Sequence, residues 1–166
     1  MLAKSDIQAT LKALDIKYRK ATKPKDALFY SKLAVLELCG WIEESMDDSV
    51  RRCAKKHLKV QANRDFVEER VIDKTYAFDY NRFRFMLIRV VGIINVERLE
   101  QKMNSTILSS FKSSLGALKK VRDSEAHTHI HGVTKTIDAP SVIRSQFKHV
   151  YAGLKEIETL LRSAKI

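Results

Sequence analysis

Residues that break helices are scarce in this chain: five glycines and two prolines in 166 positions. An all-β fold needs many tight turns, and so few turn residues point instead to a handful of long helices. Only two cysteines occur, Cys39 and Cys53, both in segments with helical periodicity. They read as reduced thiols acting as small apolar residues, with a disulfide between neighbouring helices as the alternative. No apolar run reaches membrane-spanning length, and the opening residues lack the apolar stretch of a secretory signal. The expected location is therefore cytoplasmic, with no membrane partner. A glycine-rich phosphate loop, a G-x-S-x-G elbow and a zinc-type C-x-x-C are also missing. Their absence argues against P-loop nucleotide hydrolysis, the common esterases and zinc fingers.

What the chain has in excess is positive charge. Thirty-one lysines and arginines against 20 acids leave a formal charge of +11. Such a balance favours a polyanionic partner, because neutralising phosphates releases condensed counterions. The densest run, Arg51, Arg52, Lys55, Lys56 and Lys59, is the expected RNA-binding surface, although a charge run on a helix is also an ordinary solvated face. Hydrophobic content of 45% and charged content of 31% are globular values, and the length suits one domain over residues 1–166.

Apolar spacing of three and four places the helices. A first helix carries Ile7, Leu11, Leu14 and Tyr18, capped by Ser5 or Asp6. Pro24 opens a second, running to about Met46 with Phe29, Leu33, Leu36 and Gly40 on one line and Leu28, Val35, Leu38, Cys39, Trp41 and Ile42 widening it. Its aromatics, Phe29 and Trp41, are expected in the core. Asp47 and Asp48 look like caps of a third helix reaching Gln61. Residues 63–81 keep no period and read as irregular or broken helix. Periodicity returns over 83–103, Asn104 and Ser105 suit a turn or cap, and a further helix carries Leu108, Phe111, Leu115, Leu118 and Val121. Pro140 starts the last helix, with Ile143, Phe147, Val150, Leu154, Ile157 and Leu161. The expected fold is all-α, an antiparallel bundle of four long helices plus one or two shorter ones.

Where the 108–121 helix gives way to a loop stands Arg122-Asp123-Ser124-Glu125-Ala126-His127. A guanidinium stays charged and can hold a phosphoryl oxygen as negative charge builds, while an imidazole titrates near neutrality and can move a proton. Together they can cleave RNA without a metal. The same spacing occurs at Arg52 with His57 and at Arg144 with His149. The first of these is expected inside a basic helix and the second on a solvated face, so only Arg122 is expected at a helix-to-loop junction. Five residues along an ideal helix put two side chains about 140° apart, so Arg122 and His127 converge only if the helix ends between them or a second subunit contributes. The structural alternative is an arginine satisfying a helix C-terminus beside an exposed loop histidine. His127, His129 and His131 alternate, which would also suit a metal ion completed by Asp123 or Glu125. No intrinsic metal or cofactor is expected, and His129 is an alternative to His127.

The Arg122 motif, the Asn81-Arg82-Phe83 start of a mid-chain helix and Ala139-Pro140-Ser141 at the closing helix resemble the HEPN superfamily of small helical bundles. The resemblance runs from about Phe29 to Leu161, with the RiboL-PSP type as the nearest branch. In that superfamily R-x4-6-H with a polar residue after the arginine marks the ribonucleases. The resemblance implies that Arg122 is the arginine, Asp123 the polar residue and His127 the histidine of a metal-independent endoribonuclease of toxin or defence type. It also implies a homodimer that brings two motifs into one cleft, and an antitoxin or other regulatory protein as a further partner. Some members are non-catalytic modules that bind RNA or protein, and histidines at positions 129 and 131 are not part of the family pattern.

Overall fold

Helix breaks alone punctuate the computed structural model, which describes residues 2–74, 78–126, 130 and 136–163, with no strand among them. In chain order it contains α1 (Ser5–Lys20), α2 (Pro24–His57), α3 (Gln61–Phe66) continued by a π-helical segment (Val67–Ile72), α4 (Tyr80–Val91), α5 (Ile93–Lys102), α6 (Ser105–Ala126) and α7 (Pro140–Ser163).

Three contacts fix how the longest helices lie. The Trp41 ring meets Phe147 edge-on at 5.2 Å, Arg52 reaches Glu158 at 3.0 Å, and Lys56 Nζ donates to the Arg162 carbonyl at 2.5 Å. Each joins residues 106 apart in sequence, so α2 and α7 run parallel and in step. Helix α1 returns along them in the opposite sense, since Trp41 Nε1 donates to the Ala3 carbonyl at 2.9 Å. Helix α6 is antiparallel to α7: Ser114 Oγ lies 3.3 Å from His149 Nδ1, and further along Phe111 packs on Gly153. A side chain on Gly153 would run into the Phe111 ring, so this glycine sets how closely the two helices approach. One connected apolar cluster extends from Leu2 to Leu161, with Leu38, Ile42, Phe83, Phe111, Leu115 and Leu154 almost fully enclosed.

The α7 stripe is buried as its spacing predicts, from Ile143 through Leu161. Elsewhere the structure corrects the sequence reading. Helix α2 does not stop at Met46 but continues to His57. Asp47 and Asp48 cap nothing; Asp48 instead pairs with Arg51 at 2.6 Å and Arg52 at 3.3 Å, one turn on. The buried line runs through them as Met46, Ser49, Val50 and Cys53. The core face of α2 is the line expected only to widen it, Leu28, Val35, Leu38, Cys39 and Ile42, whereas Phe29 and Leu33 are more than 40% exposed. Neither Ser5 nor Asp6 caps α1, which begins at Ser5 after Lys4.

The segment without period is helical but wound wide. Asp73 N–H reaches back five residues to the Glu68 carbonyl at 2.9 Å, the hydrogen bond of a π-helix, and Val67, Val71 and Ile72 are its buried residues. Residues 83–103 divide into α4 and α5 at Gly92, whose φ of 82° lies in the region that favours glycine. Asn104 does act as expected, its Oδ1 accepting from Thr106 N–H at 2.9 Å and Ile107 N–H at 3.2 Å. Among the described residues no helix is long and apolar enough to cross a membrane.

Candidate functional site at the end of helix α6

Arg122 lies in the penultimate turn of α6, and the helix stays regular from it to Ala126. No distortion inside the described part of the motif turns its side chains toward one another. His127, His129 and His131 lie outside the described residues, as does any metal shell built from them.

Three groups hold the guanidinium. Nη2 donates to Glu43 Oε1 at 3.1 Å, Nε faces Asp123 Oδ1 at 3.2 Å, and the guanidinium carbon sits 5.1 Å from the centroid of the Phe78 ring. Phe78 is itself buried, so it forms a firm floor under a planar cation. Asp123 also receives Lys119 Nζ at 2.6 Å. Asp123 thus stands between two cations, Lys119 and Arg122. Glu43 and Phe78 were not foreseen. Glu43 is 79 residues from Arg122 in sequence, and no local pattern announces such a partner.

Two neighbours sense this charge cluster. Burial pushes the Cys39 thiol up to about 12, with Arg122 pulling the other way and Glu43 and Asp123 adding to the rise. Cys39 therefore remains a protonated, unreactive thiol at neutral pH, and both cysteines are free and buried. One turn beyond Glu43, burial lifts the Asp47 carboxyl to about 6; Arg51 opposes the rise, while Glu43, Glu68 and Asp48 reinforce it.

The other two R-x4-H pairs differ from their expected surroundings. Helix α2 ends at His57, so Arg52 and His57 also stand at a helix terminus. Arg144 is not on a free face: it pairs with Asp15 at 3.2 Å, and Asp15 also holds Arg19 at 2.6 Å. What separates the three arginines is the burial of their partners. The Glu158 side chain that holds Arg52 is 9% exposed, and the Asp15 side chain that holds Arg144 is 5% exposed. Among the described residues, the carboxylates on Arg122, Glu43 and Asp123, are 42% and 46% exposed. Buried pairs are costly to break, whereas exposed ones are worth at most about 1 kcal/mol. Arg52 and Arg144 are thus each held by one buried carboxylate, Arg52 sharing the exposed Asp48 as well, whereas both carboxylates on Arg122 among the described residues are exposed.

The expected basic surface divides in two. Arg51 is gripped by Glu68 through two hydrogen bonds, at 2.6 and 3.0 Å, and by Asp48 at 2.6 Å. The Arg51 hydrogen bonds hold the Glu68 carboxyl below its ordinary range, against a small opposing effect of burial. Arg51 and Arg52 thus tie α2 to the π-helical segment and to α7. Lys55, Lys56 and Lys59 are exposed; Lys56 bonds the α7 end, and Lys55 and Lys56 sit in the last turn of α2, where they also offset the helix dipole.

No protein family, curated protein or solved structure matches the chain.

Proposed function

We propose that this chain is a HEPN-type bundle of four long helices with shorter ones between them, acting as a cytoplasmic, metal-independent endoribonuclease of toxin or defence type. A 2′-hydroxyl of the RNA attacks the adjacent phosphorus, leaving a 2′,3′-cyclic phosphate and a 5′-hydroxyl. His127 moves the proton, with His129 as the alternative, and a second copy of the chain supplies the opposing motif. Arg122 stabilises the developing phosphorane charge, and Asp123 orients it.

The observation that carries this reading is the exposure of Glu43 and Asp123. Arg122 is directed by weak, screened ion pairs over a fixed aromatic floor, so it is pre-aimed yet exchangeable. A guanidinium has five donors, and exchanging a screened carboxylate for a phosphate gives a charge-assisted, two-pronged contact. Positive charge elsewhere, including Lys55 and Lys59, draws the polyanion in.

A second reading has its own support. Two carboxylates already neutralise Arg122, and a module that only binds RNA or a protein partner could keep them in place permanently. Incubating the purified protein with total RNA in EDTA separates the two. Cleavage with 2′,3′-cyclic phosphate ends sustains the enzyme; a mobility shift without cleavage sustains the binder.

A further inference from the structure

Away from Arg122, the head of α4 and the middle of α6 enclose an open cleft of about 720 Å³, lined by Asp79, Tyr80, Asn81, Arg84, Glu100, Lys112 and Gly116. Small-ligand sites are typically about 300–1,000 Å³. The walls are rigidly built. Glu100 accepts Tyr80 O–H at 2.6 Å and is clasped by Arg84 at 2.8 and 3.2 Å, which ties α4 to α5. Asp79 is fixed by capping α4, its Oδ1 accepting Arg82 N–H at 2.9 Å.

Two features of this cleft bear on what it could hold, although the Lys112 charge also acts on Glu100. Lys112 Nζ stands 4.3 Å from the centroid of the Tyr80 ring, and no carboxylate among the described residues forms an ion pair with it. Gly116 lies in the interior of α6, where glycine is less favourable than alanine. A β-carbon there would meet nothing within 4 Å, so packing inside the chain does not demand it. An available cation on an aromatic face beside a bare stretch of helix, with an acceptor carboxylate and an amide on the rim, suits a ligand with an anionic end and a flat, donor-bearing end.

We propose that this cleft holds one phosphorylated ribonucleoside unit of the RNA strand, its phosphate on Lys112 and its base over Gly116 beside Asp79 and Asn81. The RNA part of the proposal rests on the ribonuclease reading; the binding of a nucleotide does not. Phe78, the floor under Arg122, immediately precedes Asp79 of the cleft. Gly116 and Arg122 are six residues apart on one helix, a rise of about 9 Å.

The test is titration of adenosine 5′-monophosphate into the isotope-labelled full chain, followed by amide resonances. Shifts should concentrate at Asn81, Arg84, Lys112 and Gly116. Lys112→Gln should weaken binding roughly tenfold, the scale of one charge-assisted contact. Gly116→Leu should fill the floor and abolish the shifts, with an unchanged melting curve confirming the fold, and Gly116→Ala, whose β-carbon meets nothing within 4 Å, should weaken them. Shifts located elsewhere, none at millimolar nucleotide, or equal shifts from inorganic phosphate alone would overturn the proposal. Nucleotide shifts in a protein that cleaves no RNA uphold the cleft and sink the nuclease. Cleavage without nucleotide shifts does the reverse.

Discussion

The ends of α2 and α6 present the same pair of residue types at the same spacing, and they differ in what stands behind the arginine. At the end of α2, Arg52 is locked to Glu158 of α7, a side chain only 9% exposed. At the end of α6, Arg122 rests on Glu43 and Asp123, both more than 40% exposed. One arrangement is a cross-brace and the other a loaded but releasable contact. On the proposed reading, the burial of the partner rather than the motif distinguishes an arginine that holds the fold from one that meets a substrate.

The largest effect expected from this contrast is on chemistry. Arg122→Ala should lower RNA cleavage by about 10²–10³, the usual loss when one donor to a transition-state oxyanion is removed. Its cost in stability should be about 1 kcal/mol, more than for a fully exposed residue, because the side chain is 24% exposed and rests on the buried Phe78 ring. Parallel cleavage assays and denaturant melts of the variant check both halves.

Stability should respond in the opposite order. Glu158→Gln deprives Arg52 and Arg162 of a common partner and should cost about 2 kcal/mol, discounted from the full buried-pair value because Arg52 is 35% exposed. Glu43→Gln should cost less than about 0.5 kcal/mol. The difference also carries a pH signature. Burial works against ionisation of Glu158, but the charges of Arg52 and Arg162 outweigh it and hold the carboxyl below its ordinary 4.5. A lowered folded value means that the stabilisation is present above 4.5 and fades as pH falls through the folded value. Melts of Glu158→Gln and wild type should therefore converge in acid.

Asp47, between the two arginine sites on α2, has the reverse sign. Its carboxyl is raised from 3.8 to about 6, first by burial. The folded state thus binds the proton more tightly, and stability is lost as pH rises from 3.8 through 6. Asp47→Asn should stabilise the protein by about 1 kcal/mol above pH 6, a value reduced for partial exposure. Below pH 3.8 it should make no difference; chemical denaturation at several pH values reads this directly.

How much of this was legible beforehand follows from where the signals lie. Helix α7 was plain because its core residues recur without interruption on one face. The continuity of α2 was not, because Asp47 and Asp48 are of the type that caps helices and nothing nearby shows that Asp48 is occupied by Arg51 and Arg52. The π-helical segment hid for another reason: five-residue hydrogen bonding erases the period being sought. At the site, the motif singles out Arg122 and Asp123, but Glu43, Phe78 and the burial of each partner emerge only from tertiary packing. His127 and His129 lie outside the described residues.

The smallest effect should come from the exposed lysines. Replacing Lys55 and Lys59 with glutamine should lower RNA affinity modestly and reduce the slope of log affinity against log salt by about 0.7 for each phosphate no longer neutralised. Arg51→Gln, which breaks the Glu68 clasp, should show up in the melting curve instead.

The most direct measurement compares single-turnover cleavage of one RNA, in EDTA, by wild type, Arg122→Ala, Arg52→Ala and Arg144→Ala, each confirmed folded at the assay temperature. The account predicts that only Arg122→Ala loses the reaction, by about 10²–10³, while the other two keep near wild-type rates per folded molecule. Equal losses in all three, or unchanged cleavage by Arg122→Ala, would contradict it.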